Sequence, residues 1–130
     1  MSHRHFSSLR LLILTLGLFA AATLGWAATP TLLPRFVDLG ADKCIPCKMM
    51  MPVLAELTRD YKGQLDVVFF DVWKDRSKGE EYGIHLIPTQ IFFDATGKEV
   101  YRHEGFISKK EILAKWAELG INLSAPAKAS

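Results

Sequence analysis

Hydrophobic positions along the 130-residue chain follow two different spacings after residue 34. Short runs rich in β-branched and aromatic residues indicate strands, whereas apolar residues that recur every three or four positions indicate helices. The predicted strands cover residues 35–39, 65–73, 89–93 and 99–103, and the predicted helices cover residues 44–61, 77–82 and 108–120. The order is therefore strand, helix, strand, helix, two strands in a hairpin, and a final helix.

The strand–helix–strand unit at the start of this order requires a parallel pair of strands, and the later hairpin adds an antiparallel pair. We therefore predict an α/β domain with a mixed central β-sheet, made from a βαβ unit and a C-terminal ββα unit, with helices on both faces. Residues 65–73 (LDVVFFDVW) are almost continuously apolar, a pattern typical of a strand that is covered on both faces. We expect this strand to be central in the sheet.

Two capping boxes predict where the later helices begin. In this pattern a serine side chain caps the first turn, and a glutamate three residues later reaches back to the serine backbone. Ser77 with Glu80 and Ser108 with Glu111 both fit the pattern. The first helix has no such box and begins instead at Cys44.

The first 28 residues differ from the rest of the chain. Arg4 and Arg10 lie in a polar beginning, and residues 11–28 form an apolar run without charge. This layout is typical of a secretory signal peptide, and small residues favour cleavage after Ala27. An earlier cut in residues 20–22 and an uncleaved membrane anchor are the alternatives, since 18 apolar residues also approach the length of a membrane span. We expect the folded part to be periplasmic or otherwise extracytoplasmic.

Removal of residues 1–27 leaves one domain over residues 28–123 and a flexible, Ala-, Ser- and Pro-rich tail over residues 124–130. The leader carries 2 of the 16 basic residues and no acidic residue, so 14 basic and 14 acidic residues remain. A neutral domain without a basic patch argues against nucleic acid as a partner.

The two cysteines of the chain, Cys44 and Cys47, are separated by two residues at the start of the first helix. A disulfide placed for stability would join distant segments, because closing a four-residue loop contributes only about 2 kcal/mol against more than 4 for a long loop. Cysteines this close suit reversible chemistry instead: one attacks a partner disulfide and the other resolves the mixed disulfide. The pair therefore indicates a redox-active dithiol.

The helix start assigns different roles to the two cysteines. A helix N-terminus favours a thiolate, so Cys44 is the predicted nucleophile, and Lys43 beside it adds positive charge in support. Cys47 lies nearly one turn further in and is the predicted resolving residue. We expect no metal at this pair, because a zinc site needs further ligands and only His85 and His103 remain outside the leader.

Further residues spread along the chain complete a pattern known from one family. They are Asp38, the Cys-x-Pro-Cys-Lys motif at 44–48, Pro52, Tyr61, Gly63, Tyr82, Gly83, Ile84, Ile87, Pro88, Thr89, Gly97 and Gly105. With these residues, the chain over roughly residues 35–120 resembles the thioredoxin family, with about one residue inserted in the hairpin turn. The resemblance implies a thioredoxin fold and a redox-active disulfide between Cys44 and Cys47.

The same resemblance implies roles for residues outside the cysteine pair. Pro88 should follow a cis peptide bond beside the active site, and Ile87 should offer its backbone to an extended substrate. Ile45 and Pro46, between the cysteines, should contact the substrate as well. Asp38 should be a buried carboxyl group beneath Cys47 that accepts its proton, with a pKa raised by desolvation.

Four positions depart from the family pattern. Gly40 and Lys43 replace two tryptophans before the motif, and Phe69 replaces the lysine that usually accompanies the buried acid. Ile45 replaces a glycine of the classical cytoplasmic protein, and the dipeptide Ile45–Pro46 carries no imidazolium that would stabilise a thiolate. We therefore predict a reducing or intermediate potential and a changed docking surface.

These observations predict an exported thiol-disulfide oxidoreductase that reduces protein disulfides as a monomer and without a cofactor. An extracytoplasmic reductase needs a source of electrons, and the family analogy suggests a membrane thiol carrier of the kind that serves cytochrome c maturation. The enzymatic alternative is a disulfide-forming oxidase or isomerase.

The alternative outside enzymology is a copper-binding metallochaperone. Met49, Met50 and Met51 follow the cysteines, and thioether and thiolate sulfurs suit Cu(I). Three consecutive helical residues point in different directions, so they do not converge on one ion. We interpret them as core residues.

Overall fold

The computed structural model describes residues 32–124, and the predictions for the leader and for residues 125–130 lie outside this range. Within it, no helix combines the length and apolar character needed to cross a membrane. The elements are β1 (Arg35–Gly40), α1 (Ile45–Asp60), β2 (Asp66–Asp71), α2 (Arg76–Glu81), β3 (Thr89–Phe93), β4 (Glu99–Glu104) and α3 (Lys109–Glu118).

The four strands form one mixed sheet in the order β2-β1-β3-β4. β1 runs parallel to β2 and antiparallel to β3, and β3 pairs antiparallel with β4. The predicted α/β mixed sheet is therefore confirmed. In the sheet that residues 32–124 form, β2 lies at the edge, so it was wrong to place the strand of residues 65–73 at the centre. Its apolar run reflects partial cover on both faces, which does not determine the number of strand neighbours.

Helices pack on both faces of the sheet. On one face, side chains from α1 and α3 form the larger core with Phe36 and Phe92, whose rings meet edge to face with centroids 4.9 Å apart. On the other face, Val37, Leu39 and Ile91 pack with residues of the α2 region. Alternation along β1 therefore directs Phe36 and Asp38 towards α1, and Val37 and Leu39 towards α2.

Capping explains two helix starts, one of which differs from the prediction. At α3, the capping box of Ser108 and Glu111 is present. At α2, the predicted serine cap is wrong: Asp75 is the N-cap, and its carboxylate accepts hydrogen bonds from both the backbone N–H and the hydroxyl of Ser77. A carboxylate placed two residues earlier takes both donors of the serine, which leaves Ser77 inside the first turn.

The end of the described chain is held to the domain. Gln64 accepts a hydrogen bond from the backbone N–H of Ser124 at 2.8 Å and donates one to its carbonyl at 3.3 Å. These two hydrogen bonds join Ser124, the first residue of the predicted tail, to Gln64 before β2.

Candidate active site

Cys44 and Cys47 form a disulfide at the N-terminal end of α1, with their Cα atoms 5.2 Å apart. Cys44 is the N-cap residue, and its Sγ accepts a hydrogen bond from the backbone N–H of Cys47 at 3.3 Å. The sulfur thus takes the place that a serine or aspartate oxygen usually occupies. The first turn contains Pro46 and no acidic residue, so no negative charge offsets the positive end of the helix dipole.

The two sulfurs differ in their access to solvent. Cys44 is half-buried, whereas Cys47 is only 1% exposed. An incoming disulfide or thiol can therefore reach Cys44, while Cys47 is reached from within the protein. This asymmetry fits one cysteine that meets the substrate and a second that attacks the first.

Asp38 is fully buried in the middle of β1. Its Oδ1 accepts a hydrogen bond of 2.7 Å from Nε2 of Gln90, while its Oδ2 has no hydrogen-bond partner among residues 32–124. Burial raises the pKa of Asp38 to about 6, and the hydrogen bond from Gln90 offsets part of the rise. A carboxyl group in this environment exchanges a proton near neutral pH.

Gly40 connects this carboxyl group to the cysteine pair. It lies two residues after Asp38 in β1, so both residues face the α1 side. A Cβ atom added to Gly40 would lie 3.1 Å from Cβ and 3.3 Å from Sγ of Cys47, and 3.2 Å from Cε2 of Phe69. Cys47 therefore packs directly on the end of the strand that carries Asp38.

The loop before β3 carries a cis peptide bond between Ile87 and Pro88. Pro88 is buried, and its carbonyl accepts a hydrogen bond of 2.8 Å from the backbone N–H of Gly105. On the other side of the bend, the hydroxyl of Thr89 donates to the carbonyl of Leu86 at 2.6 Å. These bonds hold the loop in place from both sides.

Several apolar side chains are exposed in the segments that carry the disulfide and the cis-proline loop. Ile45 is 76% exposed beside Cys44, and Pro46 is exposed as well. Leu86 precedes the cis bond, and Phe106 follows the glycine bound to Pro88; both are exposed. Ile45 and Pro46 thus leave apolar surface for a partner directly beside the accessible cysteine.

A carboxylate network braces the loop that leads to Cys44. Oδ1 of Asp71 accepts hydrogen bonds from the backbone N–H groups of Trp73 and Lys74. Its Oδ2 accepts a hydrogen bond of 3.2 Å from the backbone N–H of Asp42. The ammonium group of Lys74 lies 3.0 Å from Asp42 and 3.3 Å from Asp71. The loop after β2 therefore holds the loop after β1, directly before the nucleophile.

The remaining predicted residues occupy less definite places. Lys43 is exposed beside Cys44. Met50 is fully buried in the core, but Met49 and Met51 are about half exposed, so the core interpretation is wrong for these two. The helix disperses the three thioethers, and within residues 32–124 no group of three His, Cys, Asp or Glu residues is arranged to hold a metal ion.

The roles of three residues of this region were not predicted from the sequence. Gln90 carried a signal, because a polar residue beside the apolar run of β3 faces Asp38 once the two strands pair. Gly40 was noted only as a departure from the family pattern, and its contact with Cys47 was not foreseen. Asp71 ends a strand and gave no sign of its hydrogen bonds to a loop 29 residues away.

Comparison with known proteins places this site in a family. Residues 31–118 match the family model described as Thioredoxin. The chain is 37% identical over 81 residues to a thioredoxin of Pseudomonas aeruginosa, an alignment that covers 62% of this chain and 74% of that protein. It is 40% identical over 78 residues to a thioredoxin of Staphylococcus aureus, which covers 60% and 74%.

A solved structure described as that of a malarial protein superposes with a TM-score of 0.62 at 19% identity, covering 66% of this chain and 96% of the other; it supports the fold alone. The family acts generally on disulfides of protein substrates, and in this chain the cysteine pair at the start of α1 is the redox-active disulfide. The chain belongs to the thioredoxin family and is a thiol-disulfide oxidoreductase.

Proposed function

We propose that this protein reduces disulfides of proteins outside the cytoplasm, with Cys44 as nucleophile and Cys47 as resolving cysteine. The observation that carries the proposal is the asymmetry of the pair at the start of α1. Cys44 is accessible and accepts a backbone N–H bond at a helix N-terminus, whereas Cys47 is buried against β1. These conditions favour a thiolate at Cys44 when the disulfide is reduced.

In the first step the Cys44 thiolate attacks one sulfur of the substrate disulfide. The bond between the substrate sulfurs breaks, a bond forms between Cys44 and the substrate, and the other substrate sulfur leaves as a thiolate. Ile45 and Pro46 contact the substrate beside the attacked sulfur, and the backbone of Ile87 at cis-Pro88 aligns the substrate chain. Lys43 supports the thiolate by its positive charge.

In the second step Cys47 transfers its thiol proton to Asp38 and attacks Sγ of Cys44. The intramolecular disulfide forms, and the substrate leaves with its second sulfur as a thiolate. Two electrons have then passed from the dithiol to the substrate, and the product is the disulfide form described above. Asp38 suits the transfer because its pKa of about 6 permits both protonation states near neutral pH.

The direction of electron flow rests on the dipeptide between the cysteines. Ile45 and Pro46 carry no positive charge that would stabilise the reduced, thiolate form and so make the pair oxidising. We expect a reduction potential more negative than about −200 mV, measured by equilibration with glutathione or dithiothreitol. A value of about −120 to −180 mV would instead identify a disulfide-forming oxidase or isomerase.

The extracytoplasmic location rests on the composition of residues 1–27, which has the charged start and the apolar middle of a signal peptide. A dithiol carrier in the membrane supplies the electrons, as in cytochrome c maturation, and the mature protein acts as a monomer. Cell fractionation and intact mass test this part, with Leu14→Arg in the apolar run as the variant that should stay in the cytoplasm. Mature protein in the cytoplasmic fraction of wild-type cells would contradict it.

A further inference from the structure

We infer that Gln90 is a positioning residue for the proton transfer: its amide holds Oδ1 of Asp38 and leaves Oδ2 as the atom that receives the proton from Cys47. The inference rests on the proposed role of Asp38 and goes beyond it, because it assigns a function to a residue outside the cysteine motif and the cis-proline loop. It also explains how this chain stabilises a buried carboxylate without the lysine that usually accompanies it in the family.

The strand register brings the two side chains together. Asp38 and Gln90 are directly opposed in the antiparallel pair of β1 and β3, and both are fully buried. The 2.7 Å bond from Nε2 to Oδ1 is the only hydrogen bond that the Asp38 carboxylate makes within residues 32–124. Gln90 is therefore the one polar group that fixes the orientation of this carboxylate.

The other neighbours of Asp38 bring no charge. The opposing residue in β2 is Phe69. From α1, Cys47 packs on Gly40, two residues further along the strand face that carries Asp38. Desolvation and the Gln90 bond are the two influences on the pKa of Asp38, and no charged side chain of residues 32–124 contributes.

The amide of Gln90 can serve both protonation states of Asp38. Oδ2 of Asp38 and Oε1 of Gln90 are both buried without a hydrogen-bond partner in the described chain. With Asp38 ionised, the amide N–H donates to Oδ1. When Cys47 gives its proton to Oδ2, Oδ1 becomes the carbonyl oxygen of the neutral acid and still accepts the amide N–H, though more weakly than a carboxylate oxygen does. A neutral amide can thus bond to either state without holding the acid ionised, as a lysine would.

The test is a carboxyl titration of Asp38 by ¹³C NMR in the oxidised protein, comparing wild type with Gln90→Met. Methionine fills a similar volume and removes the amide donor. We expect the Asp38 midpoint to move upwards by about one pH unit, because a bond to the charged form is lost. The pH profile of the mixed-disulfide resolution rate should move by the same amount. An unchanged midpoint would reduce Gln90 to a core residue and overturn the inference.

Thr89→Val is the matched control. Thr89 is the adjacent buried polar residue of β3, and its hydroxyl bonds to Leu86 and not to Asp38. Loss of this bond should leave the Asp38 midpoint unmoved. An equal shift in Thr89→Val and Gln90→Met would show a general effect of strand packing and contradict a specific role.

Gln90→Glu keeps the inference testable if the methionine variant does not fold. Two carboxyl groups at hydrogen-bond distance in a buried site cannot both ionise readily, so two well-separated midpoints are expected. A single unshifted midpoint would overturn the inference. Failure of the proposed function is visible separately: Asp38→Asn with an unchanged resolution rate at all pH values would remove the proton-acceptor role, whatever Gln90 does to the titration.

Discussion

The two ends of α1 treat charge in opposite ways. At the N-terminal end a sulfur caps the helix, the first turn has no acidic residue, and the nearby carboxyl group of Asp38 is buried with a neutral partner. At the C-terminal end, Asp60 accepts hydrogen bonds from both Arg59 and Lys109, and Lys109 also pairs with Glu56. The N-terminal end leaves the positive helix dipole without an opposing acidic residue, which favours a thiolate. At the C-terminal end, ion pairs neutralise the acidic side chains and join α1 to α3.

The two aspartates show this difference in their titration. Burial raises the pKa of Asp38 to about 6, whereas hydrogen bonds from Arg59 and Lys109 lower the pKa of Asp60 to about 2. Folding therefore favours the protonated form of Asp38 and the ionised form of Asp60. An acid that exchanges protons near neutral pH is useful in catalysis, and a permanently ionised one is useful as a structural link.

Among the variants that test this comparison, removal of the nucleophile should have the largest effect on activity. We expect Cys44→Ser to lower disulfide reductase activity by more than about 10³-fold, because the accessible sulfur is lost. Insulin reduction with dithiothreitol as electron source measures the activity. Cys47→Ser is the control, since it should attack normally and accumulate the mixed disulfide, which mass spectrometry detects. Mixed disulfide on Cys47 in the Cys44→Ser protein at the wild-type rate would contradict the assigned order.

Replacement of the buried acid should change both rate and stability. We expect Asp38→Asn to slow resolution of the mixed disulfide by about 10²-fold at pH 7, because the proton acceptor is missing. In wild type, the raised pKa means that the contribution of Asp38 to stability is greatest below about pH 4 and falls by about 3 kcal/mol as pH rises through 6. Asp38→Asn should therefore be the more stable protein above pH 6, an advantage that shrinks towards pH 4.

Urea unfolding at pH 4 and pH 8, followed by tryptophan fluorescence, measures this difference, since Trp116 is fully buried. The same stability gap at both pH values would contradict the assignment of a raised pKa to Asp38, because only a titrating group makes the gap depend on pH.

Loss of the Asp71 brace should have an intermediate effect. We expect Asp71→Ala to lower kcat/KM by about 10-fold, because the loop before Cys44 loses its anchor at Asp42 and the nucleophile is less well placed. Asp94→Ala is a matched control: Asp94 bonds the backbone N–H groups of Thr96 and Lys98 in the β3–β4 turn. Equal loss of activity in both variants would show that general stability, and not the position of the loop, is responsible.

The ion pairs at the far end of α1 should matter least to the chemistry. We expect Lys109→Met to leave the reductase rate within about twofold of wild type and to lower Tm at pH 7 by no more than about 5 °C. Because the pKa of Asp60 is lowered, its pairs add stability above about pH 4 that is lost as the pH falls towards 2. The difference in Tm should narrow over that range, and a difference that widened would contradict the pairing.

Much of the fold could be predicted because its signals are local. The runs of β-branched and aromatic residues in the strands, the spacing within α1 and the Ser108 capping box are each local signals, and the elements they predict are observed. The position of β2 at the edge could not be read in the same way, because continuous apolar sequence reports cover of the strand faces and not pairing of its edges. The Asp75 cap was not predicted because Asp75 and Ser77, two positions apart, can both serve as an N-cap.

The residues of the site likewise divide into those with a local signal and those that depend on distant contacts. The cysteine pair is a local motif, and the resemblance to the thioredoxin family supplied Asp38 and Pro88. Gln90 and Asp71 act through contacts between segments distant in sequence, with Gln90 lying 52 residues from Asp38. Such contacts exist only after strand register and loop packing are fixed, so they required the structure.

The close approach at Gly40 makes two departures from the family one coupled change. A side chain at position 40 would meet both Cys47 and the ring of Phe69, so volume absent at Gly40 is taken up in part by Phe69. Placing a tryptophan at position 40 alone would bring a large side chain against both Cys47 and that ring. We expect position 40 to accept one only together with a smaller residue at position 69, a pair that a screen of single substitutions would miss.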